Sequence, residues 1–207
     1  MLEDTNTGIS WVLRHAGAFG GDGRQVYLVG QSAGGQLGAL TLLAQVAAAE
    51  GGGGDGVAQA ATAATVLGAS PRWDPRRVRA FCGVSGAYNL FALADHLHRR
   101  GLYRHMFEAI HSLAGRPMLR ELSPTLFARH RLAPAAAAAC PPMLILHGTA
   151  DKSVPVEIAV EFVAALQVGA LWVGREPGAP SVPPQRQRGG MRKGRKCGWC
   201  IAWQRGR

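Results

Sequence analysis

The fold of this chain can be read from GRQVYLVGQSAGGQLGAL, residues 23–40. Val26, Tyr27, Leu28 and Val29 form a short apolar run, the pattern of a strand buried on both faces of a parallel sheet. Gly30-Gln31-Ser32-Ala33-Gly34 follows at once, and AGGQLGALTLLAQVAAAE then reads as a helix with Leu37, Leu40 and Leu43 inward. Strand, tight turn and helix in that order make a nucleophile elbow, a sharp bend that lifts a serine hydroxyl clear of the sheet. In a chain this rich in glycine the bare G-x-S-x-G is weak evidence. Its neighbours give it meaning.

On either side of this unit the pattern repeats. Residues 5–19 place Ile9, Val12, Leu13 and Ala16 on one helical face, and GGDG at 20–23 makes the turn into the strand. VRAFCGVSG at 78–86 and MLILHG at 143–148 are further strands, and VEIAVEFVAAL predicts a helix with Val156, Ala159, Val160 and Val163 inward. Strands alternating with helices predict an α/β fold, with a parallel sheet carrying helices on both faces. Residues 47–69 read as a low-complexity Ala/Gly insertion, and 87–132 as an interrupted helical segment.

The chain has 207 residues, 47% of them hydrophobic, with no run long enough to cross a membrane and no signal-peptide order at its start. Its four cysteines are too few and scattered for a disulfide framework, so a reducing compartment is expected. The net charge of +10 is uneven. Nine of 23 basic residues but one of 13 acids lie in 167–207, leaving 14 against 12 before Gln167. A near-neutral domain, 1–166, therefore carries a basic Gly/Pro/Trp-rich tail, 167–207, read as unstructured. No specific nucleic-acid role is expected of that tail. Cys197-Gly198-Trp199-Cys200 lacks the second ligand pair that zinc needs, so neither metal nor cofactor is expected.

A serine hydroxyl needs a base to take its proton and donors to hold the oxyanion. Ser32 is the candidate nucleophile, and the backbone N–H of Ala33 the candidate oxyanion donor at the positive end of the following helix. Ser85, in GVSGA, also follows a strand, but no run of small residues opens a helix after it; a strand-end turn accounts for it. Asp151, in ILHGTADKSVP, sits where the triad acid belongs, on a turn after a strand; a turn-capping carboxylate would look the same. The expected order then places a histidine after the acid. None of the seven histidines (15, 96, 98, 105, 111, 130, 147) follows Asp151. His147 precedes it by four residues on the strand, where a structural hydrogen bond is expected. His96, His98, His105 and His111 lie among arginines on a solvated or lid-like face.

GRQVYLVGQSAGG, GVSGAYNLFALADHLHRRGLYRHMFEAI, ELSPTLF and MLILHGTADKSVPVEIAVEFVAAL together resemble plant isoprenylcysteine α-carbonyl methylesterases, from about residue 5 to 166. The resemblance implies a partial α/β-hydrolase fold and serine acyl transfer on the methyl ester of prenylated protein C-termini. It implies Ser32 as nucleophile, Asp151 as triad acid, and Ala33 with Gln31 in the oxyanion and substrate environment. It also offers Leu90, Phe91, Leu93 and Leu97 to a prenyl chain, although core packing is the favoured account of the same four residues, and it implies residence at endoplasmic reticulum or Golgi membranes. The family's upstream His-Gly-Gly oxyanion loop, first strands and membrane-anchoring region have no match here, and its histidine falls where the basic tail stands. The expectation is an inactive fragment with an exposed apolar strand edge, and a tail translated from beyond a splice junction at Gln167-Val168. A related carboxylesterase or arylformamidase, and a non-catalytic isoform binding prenylated partners, are the alternatives.

Overall fold

The computed structural model describes residues 1–50, 66–113, 115–133, 136, 139–171 and 199–204. Helix α1 (Leu2–His15) leads through a short 3-10 turn to strand β1 (Val26–Gln31), and helix α2 (Ala33–Glu50) follows. Strand β2 (Val78–Val84) precedes helices α3 (Leu90–Arg99) and α4 (Arg104–Ile110), the small hairpin β3 (Ser112–Leu113) and β4 (Arg116–Pro117), and helix α5 (Pro124–Arg131). Strand β5 (Met143–Gly148), helix α6 (Val156–Leu171) and strand β6 (Trp199–Gln204) complete the order.

The sheet runs β1-β2-β5-β6, with the first three strands parallel. Its register decides which side is core. Leu28 pairs with Phe81 and Phe81 with Met143; Gly30 pairs with Gly83 and Gly83 with Ile145. Phe81, Met143 and Ile145 are buried under the helices. The alternate set points the other way, and there Tyr27 is 63% and Val29 66% exposed. On β2 and β5 that alternate face is half-buried, so the open patch is confined to β1. The apolar run that suggested burial on both sides is half open, and β1 has β2 as its one described partner.

Helix α2 is buried almost all round because the sheet, α1 and α5 enclose it. Leu40, Leu42, Leu43 and Val46 are fully buried, and Gly38 lets Phe81 approach, since a Cβ there would stand 3.0 Å from its ring. The helix reaches Glu50, so the first residues of the expected insertion are helical and Ala47 is core; 51–65 lie outside the described residues. On α1 the buried stripe is Asn6, Ile9, Ser10 and Leu13, and Val12 turns outward. Asn6 is the reason. Its Nδ2 donates to the Pro71 carbonyl and Ser70 Oγ, and its Oδ1 accepts from Gln45 Nε2 and Trp73 Nε1.

On α6 the buried stripe is Ile158, Ala159, Phe162, Ala165 and Leu166, with Val160 exposed, because Phe162 stacks on buried Tyr88 at 4.4 Å. The tail departs from the unstructured expectation at two places. Helix α6 continues to Leu171, and Trp199–Gln204 pairs antiparallel with β5, Gly148 opposite Trp199 and Met143 opposite Gln204. An unpaired strand edge accepts such a β-prone segment readily. The rest of the tail, Cys197 included, lies outside the described residues.

Candidate active site

Ser32 sits just past the end of β1 with φ +52°, a left-handed backbone that a side chain rarely adopts. The turn is closed by sterics. A Cβ at Gly30 would lie 2.3 Å from the Gly34 carbonyl oxygen, so only glycine fits there. Gly34 itself has open space where a methyl group would stand, and its small size is not demanded by neighbours. The Ser32 N–H donates to the Val84 carbonyl at 2.9 Å, and the Ser32 carbonyl accepts from Gln36 N–H at 3.2 Å, opening α2. Ser32, Ala33 and Gly34 are all exposed. The hydroxyl is therefore presented at the sheet's C-terminal edge, above the N-terminus of an 18-residue helix.

Ala33 lines a cavity of about 450 Å³. Leu2 of α1, Leu37 of α2, Ile110, Met118 and Leu122 supply apolar walls, with His111 and Gln36 among the polar ones. Gln36 Nε2 donates to the Leu122 carbonyl at 2.7 Å, tying α2 to the turn before α5, and Leu90 N–H donates to Ser123 Oγ at 2.9 Å within the 87–132 segment. Gln31 belongs to neither wall. As the last residue of β1 it is exposed, in the alternation that carries Tyr27 and Val29 to the open face. Of the four residues for which core packing and a prenyl chain were weighed, three follow the core reading. Leu90 and Leu93 are core, Leu97 packs against it, and Phe91 lies between the Arg104 and Arg120 guanidinium groups at 5.1 and 5.2 Å. The cavity is instead walled by Ile110 at the end of α4 and by Met118 and Leu122 in the turns before α5, with no sequence period to announce them.

Asp151 stands on the loop after β5, its N–H donating to the Gly148 carbonyl at 3.1 Å. Oδ1 accepts from the amides of Ser153 and Val154 at 2.8 and 3.0 Å, which folds the loop. Oδ2 lies 3.6 Å from His147 Nε2. His147 is fully buried, and Nε2 donates to the Val154 carbonyl at 2.8 Å, since a carbonyl can only accept. That is the structural hydrogen bond expected of it. Its Nδ1 is buried without a partner among the described residues.

The other histidines do not converge. His96 Nε2 donates to the Lys152 carbonyl at 2.9 Å, beside the Arg100 guanidinium, which bonds the same oxygen. His98 and His105 are exposed, and His111 Nδ1–H donates to the Phe107 carbonyl at 2.8 Å. His96 and Arg100 thus hold the loop that carries Asp151, a role with no signal in sequence spacing.

A parallel sheet whose first strand turns through a left-handed serine into a long helix is the core of an α/β hydrolase. The chain belongs to the BD-FAE family, whose profile matches residues 1–166. It is 38% identical over 167 residues to a probable isoprenylcysteine alpha-carbonyl methylesterase of Arabidopsis thaliana, covering 81% of this chain and 32% of that protein. It is 36% identical over 171 residues to the isoprenylcysteine alpha-carbonyl methylesterase of the same plant, covering 82% and 36%. The chain thus spans about a third of the length of the curated relatives it matches. Carboxyl esterase 2 of the mycorrhizal fungus Tuber melanosporum shares the fold at 18% identity, with a TM-score of 0.50 over 79% of this chain and 46% of that one.

Proposed function

We propose that this chain carries the nucleophile part of a serine carboxylester hydrolase site, and that its substrate is the prenylcysteine methyl ester at the C-terminus of a prenylated protein. One observation carries the reading: the exposed Ser32 turn stands, through Ala33, beside a cavity of about 450 Å³ with mostly apolar walls and the Glu3 and Asp4 carboxylates among its polar ones. Ligand pockets commonly measure roughly 300–1,000 Å³, so an apolar chain has room beside the ester. The relatives' names give the substrate class. A prenyl group favours bilayers, and endoplasmic reticulum or Golgi membranes are the proposed setting by kinship; no described helix is long and apolar enough to cross one.

In the proposed reaction Ser32 Oγ attacks the ester carbonyl carbon, and the oxyanion takes a hydrogen bond from Ala33 N–H at the positive end of α2. Methanol leaves, and water attacks the acyl-enzyme to release the free carboxylate. Both steps need an imidazole to accept and return the proton. His147 is committed to Val154, and no histidine follows Asp151 in the sequence. Removing the triad histidine of a serine protease costs about 10⁶ in turnover. We therefore propose that this chain alone binds the ester and turns it over negligibly, which equally suits a non-catalytic binder of prenylated partners.

Methanol release from N-acetyl-S-farnesylcysteine methyl ester tests both parts. The full chain should release none above background, and added imidazole should restore slow release that Ser32→Ala abolishes. Release that is insensitive to Ser32→Ala would overturn the assignment of the nucleophile.

A further inference from the structure

Among the described residues two side-chain-bearing residues have positive φ: Ser32 at 52° and Ser85 at 48°. They stand at matching ends of adjacent parallel strands. Gln31 pairs with Val84, Ser32 N–H donates to the Val84 carbonyl at 2.9 Å, and Ser85 N–H donates to the Leu146 carbonyl at 2.8 Å. The two turns also touch. A Cβ on Gly35, in the first turn of α2, would come within 3.1 Å of Gly86 Cα.

The second turn is rigidly seated. A Cβ on Gly86 would meet the Tyr88 ring at 2.3 Å, and Tyr88 is fully buried against Phe162. A left-handed backbone is easy for glycine and strained for serine, and such strain gathers where it positions a functional group. At Ser32 it lifts a hydroxyl off the sheet edge. Ser85 has the same left-handed backbone one strand away. Ser85 is half-buried, and its hydroxyl makes no hydrogen bond to a described residue.

We infer that Ser85 contacts the substrate of this same site: its hydroxyl donates a hydrogen bond to an oxygen of the ester held over Ser32. The inference rests on reading Ser32 as an ester hydrolase nucleophile. Ser85 is the donor and not a second nucleophile, because no helix begins at its turn; α3 starts only at Leu90. Ester oxygens accept and do not donate, which fixes the direction of the bond. Ser85 would stand beside Ala33 N–H as a second donor from a neighbouring strand.

The test compares binding of two probes to the full chain, N-acetyl-S-farnesylcysteine methyl ester and N-acetyl-S-farnesylcysteamine, which lacks the ester. Wild-type chain should prefer the ester. Ser85→Ala and Ser85→Gly should each weaken ester binding about five- to tenfold, the range of one hydrogen bond, and leave the ester-free probe unchanged. Ser85→Gly should also raise the melting temperature, since it relieves the positive φ while removing the hydroxyl. A merely structural serine would shift both probes or neither. Unchanged ester preference in both variants overturns the inference alone. A wild-type chain that binds neither probe overturns the prenylcysteine ester reading and this inference with it.

Discussion

Gly30 and Gly34 approach so closely that a Cβ on the first would stand 2.3 Å from the carbonyl oxygen of the second. This contact closes the elbow, and it separates two glycines that look alike in the motif. Gly30→Ala should force the turn open and destabilise the chain by about 2–4 kcal/mol or leave it insoluble. Gly34→Ala, at a helix position with open space, should be neutral or stabilising by up to about 1 kcal/mol. Urea melts of the two variants check the contrast.

Asn6 satisfies both of its ends inside the protein, and its Oδ1 accepts from Gln45 and Trp73 together. Asn6→Leu removes that acceptor, leaving the half-buried Trp73 indole N–H without it and Gln45 Nε2 with the Pro71 carbonyl alone. The expected cost is about 2–3 kcal/mol, a large share of a small domain's stability. Asn6→Asp keeps the acceptor but sets a buried carboxylate oxygen against the Pro71 carbonyl, so it should cost at least as much at neutral pH and recover stability as the pH falls and the carboxyl is protonated. A loss in Asn6→Asp that stays the same at every pH would point to packing alone.

Tyr27 and Val29 face solvent on a strand with no charge or proline to guard its edge. Such an edge templates aggregation. Val29→Lys should lower concentration-dependent light scattering several-fold with the circular dichroism spectrum unchanged. Ile145→Lys, on the covered face of the same sheet, should instead unfold the chain.

Burial pushes the Cys140 thiol up to about 12, whereas Cys82 is half-buried. Peptide mapping after iodoacetamide at pH 8 should find Cys82 modified and Cys140 protected until denaturant is added. The sign of the pH effect follows. Below about pH 9 the thiol is protonated in both folded and unfolded chains, so stability is whole. Between there and about 12 unfolding releases a proton, and stability falls as pH rises. Cys140→Ala should lessen that fall.

The elbow was legible because its demands are local: an apolar strand, a glycine where the turn closes, and small residues opening a helix. The three parallel strands were legible for the same reason. What was not legible depends on distant partners. VYLV reads as buried on both sides, and only the register with Ala80 and Cys82 shows Tyr27 and Val29 on an uncovered face. The face of α6 was read from its valines, but Phe162 follows Tyr88 inward. Ile110, Met118 and Leu122 wall the cavity from a helix end and turns without periodicity, while the more regular Leu90 and Leu93 are core. Asp151 shows why sequence could not choose between capping and catalysis: one oxygen folds its loop and the other faces His147.

Everything proposed for the site depends on Ser32 being a presented nucleophile without a base in this chain. Intact-mass and peptide analysis of the full chain after exposure to a fluorophosphonate decides the point. Negligible labelling is expected without additives and, with imidazole added, a single adduct on Ser32 that Ser32→Ala removes. Rapid labelling of Ser32 without imidazole, or an adduct on another serine, would contradict it.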